Sequence, residues 1–215
     1  MDFEDVLDRL LTLYTSEGYA SEIVQAKVEF FERSIPSVDD DTSQFNLRMA
    51  QFLDWYLFTR KLTGPALTPI EFALQDREFP KRETDTELFK SLLNTTHSIF
   101  EFIKAKDKDV YVKDLFTGNK IVVKDSAVNA GFNKDDIFSV RIIPHKDSYI
   151  FAKGFCFHPQ EARKYILKEV KSHKKAAQEE KEKLLLKLLR MKNKVDQYKH
   201  ILPKFIYTNE NAFRA

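Results

Sequence analysis

Residues 98–104 read SIFEFIK, and here the spacing of the apolar side chains changes from a helical period to the two-residue period of a strand. Phe100 and Phe102 fall on one face of this segment. Ile99, Glu101 and Ile103 fall on the other face. Four further segments show the same enrichment in β-branched and aromatic residues: DVYVK (109–113), KIVVK (120–124), DDIFSVRII (135–143) and SYIFAKGFCF (148–157). The pattern predicts five β-strands.

The connections between these segments are short, and none is long enough for a helical crossover. The sequence LFTGN (115–119) turns the chain through Gly118, and the longer loop SAVNAGFNK (126–134) precedes the fourth strand. Short connections favour antiparallel neighbours, and a small antiparallel sheet protects its edges by curling. We therefore expect residues 98–158 to form a five-strand antiparallel meander or small β-barrel.

Residues 1–97 have helical periodicity instead. Apolar stripes run through residues 2–14, 23–35 and 45–62. Two capping boxes, Thr68 to Glu71 and Thr84 to Glu87, each mark the start of a further helix. This half of the chain is predicted to contain five helices.

Pro159 is suited to the first turn of a helix, and Pro203 ends the pattern that follows it. Between them apolar and small residues recur with weak heptad spacing, interrupted by the polar stretch KSHKKAAQEEKEK (171–183). We predict one long basic helix over residues 159–202 and an aromatic tail over 203–215. The predicted fold class is α+β.

The formal net charge of +2 conceals two oppositely charged segments. Residues 1–45 carry 11 acidic and 3 basic side chains, whereas residues 163–200 carry 13 basic and 5 acidic ones. Either the two segments are expected to attract each other, or the basic segment is expected to bind an external polyanion. The acidic amphipathic start does not resemble a secretion signal, no apolar run suits a membrane span, and Cys156 is the only cysteine. A cytoplasmic location is expected.

No sequence motif indicates catalysis. A Walker loop, HExxH and GxSxG are all absent, so an enzyme is the less favoured class. Cys156 and His158 share one face of a predicted strand and suit a metal site with His145 or Glu161, but structural zinc normally takes four ligands, and a buried thiol beside a capping imidazole is favoured. The run Asp39–Asp41 suits either a divalent cation or a solvated turn, and the turn is favoured. No catalytic residue, metal or cofactor is predicted.

The favoured hypothesis is a non-catalytic interaction or adaptor protein. Its C-terminal helix has an apolar stripe for which the sequence offers no obvious burial within the same chain. This stripe is predicted to bind a protein partner or a second copy of the chain through Ile166, Val170, Leu184, Leu188, Met191, Val195 and Tyr198.

The alternative hypothesis is nucleic-acid binding by the basic helix and the small barrel. The residues predicted to contact phosphates are Lys168, Lys171, Lys174, Lys175, Lys181, Lys183, Arg190, Lys192 and Lys194. Tyr111, Phe116 and Tyr149 are candidates for stacking on bases. Four glutamates interrupt the basic run, as they do on an ordinary solvated helix: Glu169, Glu179, Glu180 and Glu182.

The segments FLDWYLF (52–58), TPIEFAL (68–74), VYVKDLFTGNKIVV (110–123) and DDIFSVRIIP (135–144) resemble a block of uncharacterised bacterial proteins. The resemblance covers about residues 45–160, and its most specific parts are the DLFTG turn and the Trp-containing helix. It implies a helical region followed by a small barrel of unknown role. Some such proteins end in a zinc motif like that at the C-terminus of SecA, and this chain lacks its cysteine cluster.

Overall fold

The computed structural model of the chain describes residues 3–31, 42–128 and 130–209, with side chains at all of them except Thr42, Ser43 and Thr84. The predicted extension of the second helix to Pro36 and the acidic run at 39–41 lie outside the described residues. The chain divides into two compact units. The first consists of Met1–Thr95, Ile143–His145 and Ala152–Gly154, and the second of Thr96–Ile142, Lys146–Phe151 and Phe155–Ala215.

The first unit contains the five predicted helices. They are α1 (Phe3–Tyr14), α2 (Ala20–Phe31), α3 (Thr42–Phe58), α4 (Pro69–Phe72) and α5 (Thr86–Leu93). The capping box of α4 is confirmed, since the backbone N–H of Glu71 donates to Thr68 Oγ1 and the N–H of Thr68 donates to the Glu71 carboxylate. The second predicted box depends on the Thr84 side chain, which lies outside the described side chains. A 3₁₀ turn at Glu83–Asp85 precedes α5, and the Asp85 carboxylate accepts from the Arg82 N–H.

Three large polar side chains buried in the first unit have hydrogen-bond or ion-pair partners. The Tyr14 hydroxyl donates to Asp76 at 2.9 Å, and the Tyr56 hydroxyl donates to the Tyr14 carbonyl at 2.8 Å. The buried Arg60 guanidinium binds Glu22 at 2.6 Å and Glu29 at 2.7 Å. Unpaired charge in an apolar interior is costly, so these partners keep the helices in one arrangement.

The second unit is built on an antiparallel sheet. Its strands are β1 (Thr96–Lys106), β2 (Asp109–Asp114), β3 (Lys120–Val123), β4 (Ile137–His145), β5 (Ser148–Phe151) and the short β6 (Cys156–Phe157). The last three residues of β4 are assigned to the first unit. The five-strand antiparallel prediction is confirmed along the order β3-β2-β1-β4-β5, and β6 pairs with β4 off this path.

Two details of the predicted sheet are wrong. A simple meander places β4 beside β3, whereas β4 pairs with β1, from Thr96 opposite Ile142 to Glu101 opposite Ile137. The segment 148–157 is two strands, β5 and β6, rather than one. The sheet curls into a half-barrel, so that Ser148 of β5 accepts from the Lys124 N–H at 2.9 Å and donates to the Val122 carbonyl at 3.2 Å.

Aromatic and β-branched side chains fill the concave side of the sheet. The buried members of this core cluster are Phe100, Phe102, Val110, Val112, Val123, Phe138, Val140, Ile142 and Phe155. Rings contribute much of the burial, and neighbouring rings such as Phe138 and Phe157 lie 5.2 Å apart. This packing accounts for the abundance of phenylalanine in the sequence.

Three helices follow the strands: α6 (Arg163–His173), α7 (Gln178–Gln197) and the short α8 (Pro203–Ile206). The predicted long C-terminal helix is present as α7. The prediction that it is continuous from residue 159 is wrong, because the chain turns between His173 and Gln178. Ser172 Oγ and His173 Nδ1 each lie 2.8 Å from the Glu169 carbonyl oxygen, and side chains that bond the last carbonyls favour the end of a helix.

Among the described residues, no helix combines the length and apolar character needed to cross a membrane.

Candidate functional site

The apolar stripe predicted to bind a partner lies in the core of the second unit. Ile166 and Leu188 are completely buried, and Val170 and Leu184 are almost so. Met191 and Val195 are partly buried against the same cluster. Burying each Leu, Ile or Val side chain stabilises the fold by roughly 1.5–3 kcal/mol. The expectation that the chain offers this stripe no burial is therefore wrong.

Side chains from the convex side of the sheet cover the stripe. The cluster includes Ile99 of β1, Ile137 of β4, the turn residues Leu115 and Phe116, and Ile206 and Tyr207 near the C-terminus. Only Tyr198 of the seven predicted partner-binding residues is exposed. Partner binding by the stripe stays a prediction, but four of its seven residues are buried and two more are partly buried.

Basic side chains cover the opposite, solvent-facing side of α6. Lys164, Lys168 and Lys171 follow one another at steps of four and three, and Lys174 and Lys175 continue the row in the turn after the helix. All five are exposed, and none of them has an ion-pair or hydrogen-bond partner among the described residues. We call these five residues the lysine stripe. They place five positive charges along roughly 15 Å of α6 and the turn that follows it, at about 1.5 Å per residue.

The acidic residue of α6 does not neutralise the lysine stripe. Glu169 is buried, and its carboxylate accepts from Lys187 at 3.1 Å and from the Asn209 side chain at 3.1 Å. Burial alone raises the pKa of Glu169, but the hydrogen bonds from Asn209 and Lys187 lower it below its ordinary value. The carboxylate therefore stays charged inside the unit, and no acidic side chain of α6 lies on its exposed face.

The other predicted phosphate-binding residues are paired with neighbouring side chains or partly buried. Lys183 binds Glu180 at 2.6 Å, Lys192 binds Asp196 at 2.6 Å, and Lys181 lies over the Phe116 ring at 5.5 Å. Arg190 makes a polar or charged contact and, like Lys194, is partly buried. The sequence identified four of the five stripe residues and missed Lys164, which the four-residue step back from Lys168 would have found.

The proposed Cys156 and His158 pair is buried. Cys156 Sγ lies 4.0 Å from His158 Nδ1, and the Tyr207 hydroxyl lies 2.9 Å from the same nitrogen. Burial raises the pKa of the Cys156 thiol to about 12, and burial with the nearby charge of Lys192 lowers the pKa of His158 to about 3. A neutral buried thiol is a poor nucleophile and a poor metal ligand. The described residues contain no group of three or more His, Cys, Asp or Glu side chains placed to hold a metal.

A second histidine joins the sheet to α7. His97 Nδ1 lies 2.7 Å from the Glu182 carboxylate, and Arg141 lies directly opposite His97 on the neighbouring strand. Burial alone raises the pKa of Glu182, but the charge and hydrogen bond of His97 and the charge of Arg141 lower it to about 2. These contacts fix α7 against the sheet. Glu182, one of the four glutamates that interrupt the basic run, therefore has a structural role.

Of the three aromatic residues suggested for base stacking, only Tyr111 lies on the solvent side of the sheet. Phe116 is buried in the cluster around α7. Tyr149 is partly buried against the concave core. Tyr111 is partly exposed on β2, with Lys104 Nζ 4.7 Å above its ring.

The net charges of the two units have opposite signs. The first unit has 11 basic and 18 acidic side chains, a balance of −7, and the second has 24 basic and 15 acidic side chains, a balance of +9. Most of the excess positive charge therefore belongs to the unit that holds the lysine stripe.

Comparisons with known proteins identify a family but not an activity. No curated protein and no solved structure matched the chain. Residues 35–188 match a protein family described as a family of unknown function, DUF7986, and this match takes in α3, the whole sheet, α6 and part of α7. The chain therefore belongs to the DUF7986 family of proteins of unknown function.

Proposed function

We propose that the protein binds nucleic acid through the lysine stripe on α6. The observation that carries this proposal is a row of five exposed lysines on α6 and the turn after it. None has a carboxylate partner within the described parts of the chain, and the one glutamate of α6 is buried. An ordinary solvated helix mixes both signs of charge on its exposed face. A row of unneutralised ammonium groups instead suits a repeating polyanion, whose binding releases condensed counterions.

The length of the stripe fits a phosphate backbone. Its extent of roughly 15 Å equals four to five nucleotides of one duplex strand, at about 3.4 Å per nucleotide. Lysine contacts phosphate as a point charge, without the fixed geometry that reading a base edge requires. We therefore propose binding with little sequence preference. The proposed location is a bacterial cytoplasm, whose reducing conditions keep Cys156 as a free thiol.

A matched pair of variants tests this proposal. The stripe variant carries Lys164→Gln, Lys168→Gln, Lys171→Gln and Lys175→Gln. The control variant removes the same charge from the first unit, through Lys61→Gln, Lys81→Gln, Lys90→Gln and Lys153→Gln, all at exposed positions. Fluorescence anisotropy at low salt with labelled 20-nucleotide RNA and DNA measures the affinity of each protein.

The proposal predicts that the stripe variant binds roughly 100-fold more weakly than the control variant, the size of effect expected for about four phosphate contacts. It is contradicted if the native protein shows no binding to any of these nucleic acids, or if both variants lose affinity equally.

We propose protein interaction as a second candidate function, at a different place from the buried stripe. Tyr198, Leu202 and Phe205, around the turn between α7 and α8, are 38%, 56% and 55% exposed. Three exposed large apolar side chains within eight residues of sequence favour a contact site. Sedimentation velocity with Leu202→Glu tests its simplest form, in which two copies associate. A native dimer that the substitution converts to a monomer supports this form, and a native monomer contradicts it.

A further inference from the structure

The convex face of β1, β2 and β3 carries two cross-strand rows of side chains. One row consists of Lys104, Tyr111 and Val122, and the other of Glu101, Lys113 and Lys120. Residues opposite one another on neighbouring strands share a face of the sheet. We call this surface the tyrosine face. On the other side of the same strands lie the fully buried Val110, Val112 and Val123, which pack in the concave core.

The tyrosine face places two like charges side by side. Lys113 and Lys120 are directly opposite each other on β2 and β3, and neither has an ion-pair partner among the described residues. Glu101, on the other side of Lys113, binds Arg163 instead. Like charges in this arrangement destabilise a sheet. An anion lying between the two ammonium groups removes that cost.

The tyrosine face also offers an aromatic ring to a ligand. Tyr111 is partly exposed, and the ammonium group that covers it belongs to Lys104, whose side chain is exposed and has many rotamers. A flat aromatic group can take the place of this ammonium over the ring. Every nucleobase has such a flat face, so stacking of this kind tolerates any sequence.

The tyrosine face and the lysine stripe meet at one residue. Arg163, the first residue of α6, binds Glu101, which lies in the same row as Lys113 and Lys120. The next residue along the chain is Lys164, where the lysine stripe begins. The two surfaces are therefore adjacent, and the Arg163–Glu101 ion pair between them has no net charge that would repel a strand running from one to the other.

We infer that the tyrosine face binds single-stranded nucleic acid, with a base stacked on Tyr111 and a phosphate between Lys113 and Lys120. This inference rests on the proposed function and specifies its ligand. The bases of a duplex are already stacked on one another inside the helix, so they are not available to Tyr111. Single strands expose both the base face and the backbone, and the site has a group for each.

The test distinguishes the contribution of base stacking to affinity from that of phosphate contacts. The probes are single-stranded 12-nucleotide RNA and DNA, the corresponding duplex, and an abasic 12-nucleotide DNA that keeps the phosphates. The proteins are the native chain, Tyr111→Val, which keeps a β-branched strand former but removes the ring, and Tyr111→Phe, which keeps the ring. Fluorescence anisotropy gives each dissociation constant, and circular dichroism establishes that each variant is folded.

The expected result is that Tyr111→Val binds the normal single strands about 5- to 150-fold more weakly, the range found for loss of one stacked base. Its affinity for the abasic strand stays unchanged, and Tyr111→Phe binds like the native chain. Unchanged affinity of Tyr111→Val for normal single strands, or an equal loss on the abasic strand, overturns base stacking and leaves the lysine-stripe proposal standing. No binding of the native chain to any probe overturns both.

Substitution of Lys113 and Lys120 provides a second, independent test of the inference. Lys113→Gln with Lys120→Gln relieves the repulsion between the two strands, so the melting temperature of the free protein rises while affinity for the abasic strand falls. A melting temperature that falls or stays unchanged, or an unchanged affinity, contradicts the assignment of a phosphate to this pair.

Discussion

Asp114 organises the DLFTG turn at residues 114–118, which is among the most specific parts of the family resemblance. Its Oδ1 accepts from the Ser98 hydroxyl at 2.8 Å, from the Phe116 N–H at 2.8 Å and from the Thr117 N–H at 3.4 Å, and its side chain is buried. Gly118 closes the turn with a φ of 83°, in the left-handed region that glycine adopts without strain. The DLFTG sequence is therefore a structural motif, and no ligand is needed to explain it.

Replacing Asp114 by Ala leaves a buried hydroxyl and a buried N–H without an acceptor. We expect the free energy of unfolding to fall by about 2–4 kcal/mol, because unsatisfied buried donors each cost about 1–3 kcal/mol. Ser98→Ala, which removes one of the donors, serves as the control and is expected to cost about 1 kcal/mol. Urea unfolding measures both values. A smaller loss for Asp114→Ala than for Ser98→Ala contradicts this account of the turn.

His158 makes stability depend on pH. The unfolded histidine takes up a proton below its ordinary pKa near 6.5, whereas the folded one does so only near 3, because burial disfavours its charged form. Between these values the unfolded chain holds one more proton, so stability is fully present above about pH 6.5 and declines as the pH falls. At pH 5 the titration of His158 alone is expected to lower the free energy of unfolding by about 2 kcal/mol.

His158→Asn keeps a polar group near the position of Nδ1 and removes the titration. Urea unfolding of the native and variant proteins at pH 7 and pH 5 measures the effect. We expect the native protein to lose about 2 kcal/mol more than the variant between these two pH values. Equal losses in the two proteins would show that His158 does not titrate in this range.

Among the helices, α7 illustrates why an apolar stripe does not by itself indicate a partner. Its apolar side chains pack on β1 and on the turn after β2, within the same unit. Leu188→Ala opens a cavity at a completely buried site and is expected to cost about 2–5 kcal/mol of unfolding free energy. The same substitution at exposed Leu202 is expected to cost less than about 0.5 kcal/mol. Urea unfolding that gave equal costs would contradict the burial of the stripe.

The sequence predicted those elements whose signals are local. The capping box at Thr68 and the alternation through Phe100 and Phe102 depend on neighbouring residues, and both predictions are confirmed. The pairing of β4 with β1 and the burial of Leu188 depend on contacts between residues far apart in sequence. Periodicity shows which face of a helix is apolar, but it does not show which surface covers that face.

The candidate site was only partly predictable for the same reason. The number of lysines near α6 was visible in the sequence, but the sequence did not distinguish exposed Lys168 from Lys192, whose ammonium is held by Asp196. Glu169 looked like a surface residue that dilutes the positive charge, and its burial follows only from its contacts with Lys187 and Asn209. The opposition of Lys113 and Lys120 requires the strand register, which no sequence motif gives.

For the whole molecule, the dominant feature is the separation of charge between the two units. The balance of −7 in the first and +9 in the second gives the chain a net charge of only +2. The overall charge therefore gives little indication of a polyanion partner, whereas the charge of the second unit does. Phosphate contacts are expected to concentrate in the second unit, since the acidic first unit repels the same backbone.

The salt dependence of binding to a single-stranded oligonucleotide measures the number of phosphate contacts directly. Each contact contributes about −0.7 to the slope of the logarithm of the binding constant against the logarithm of salt concentration. Loss of the four stripe lysines is therefore expected to make the slope shallower by about 3, while the control variant keeps the native slope. A stripe variant whose slope equals that of the native protein would contradict the assignment of nucleic-acid binding to this surface.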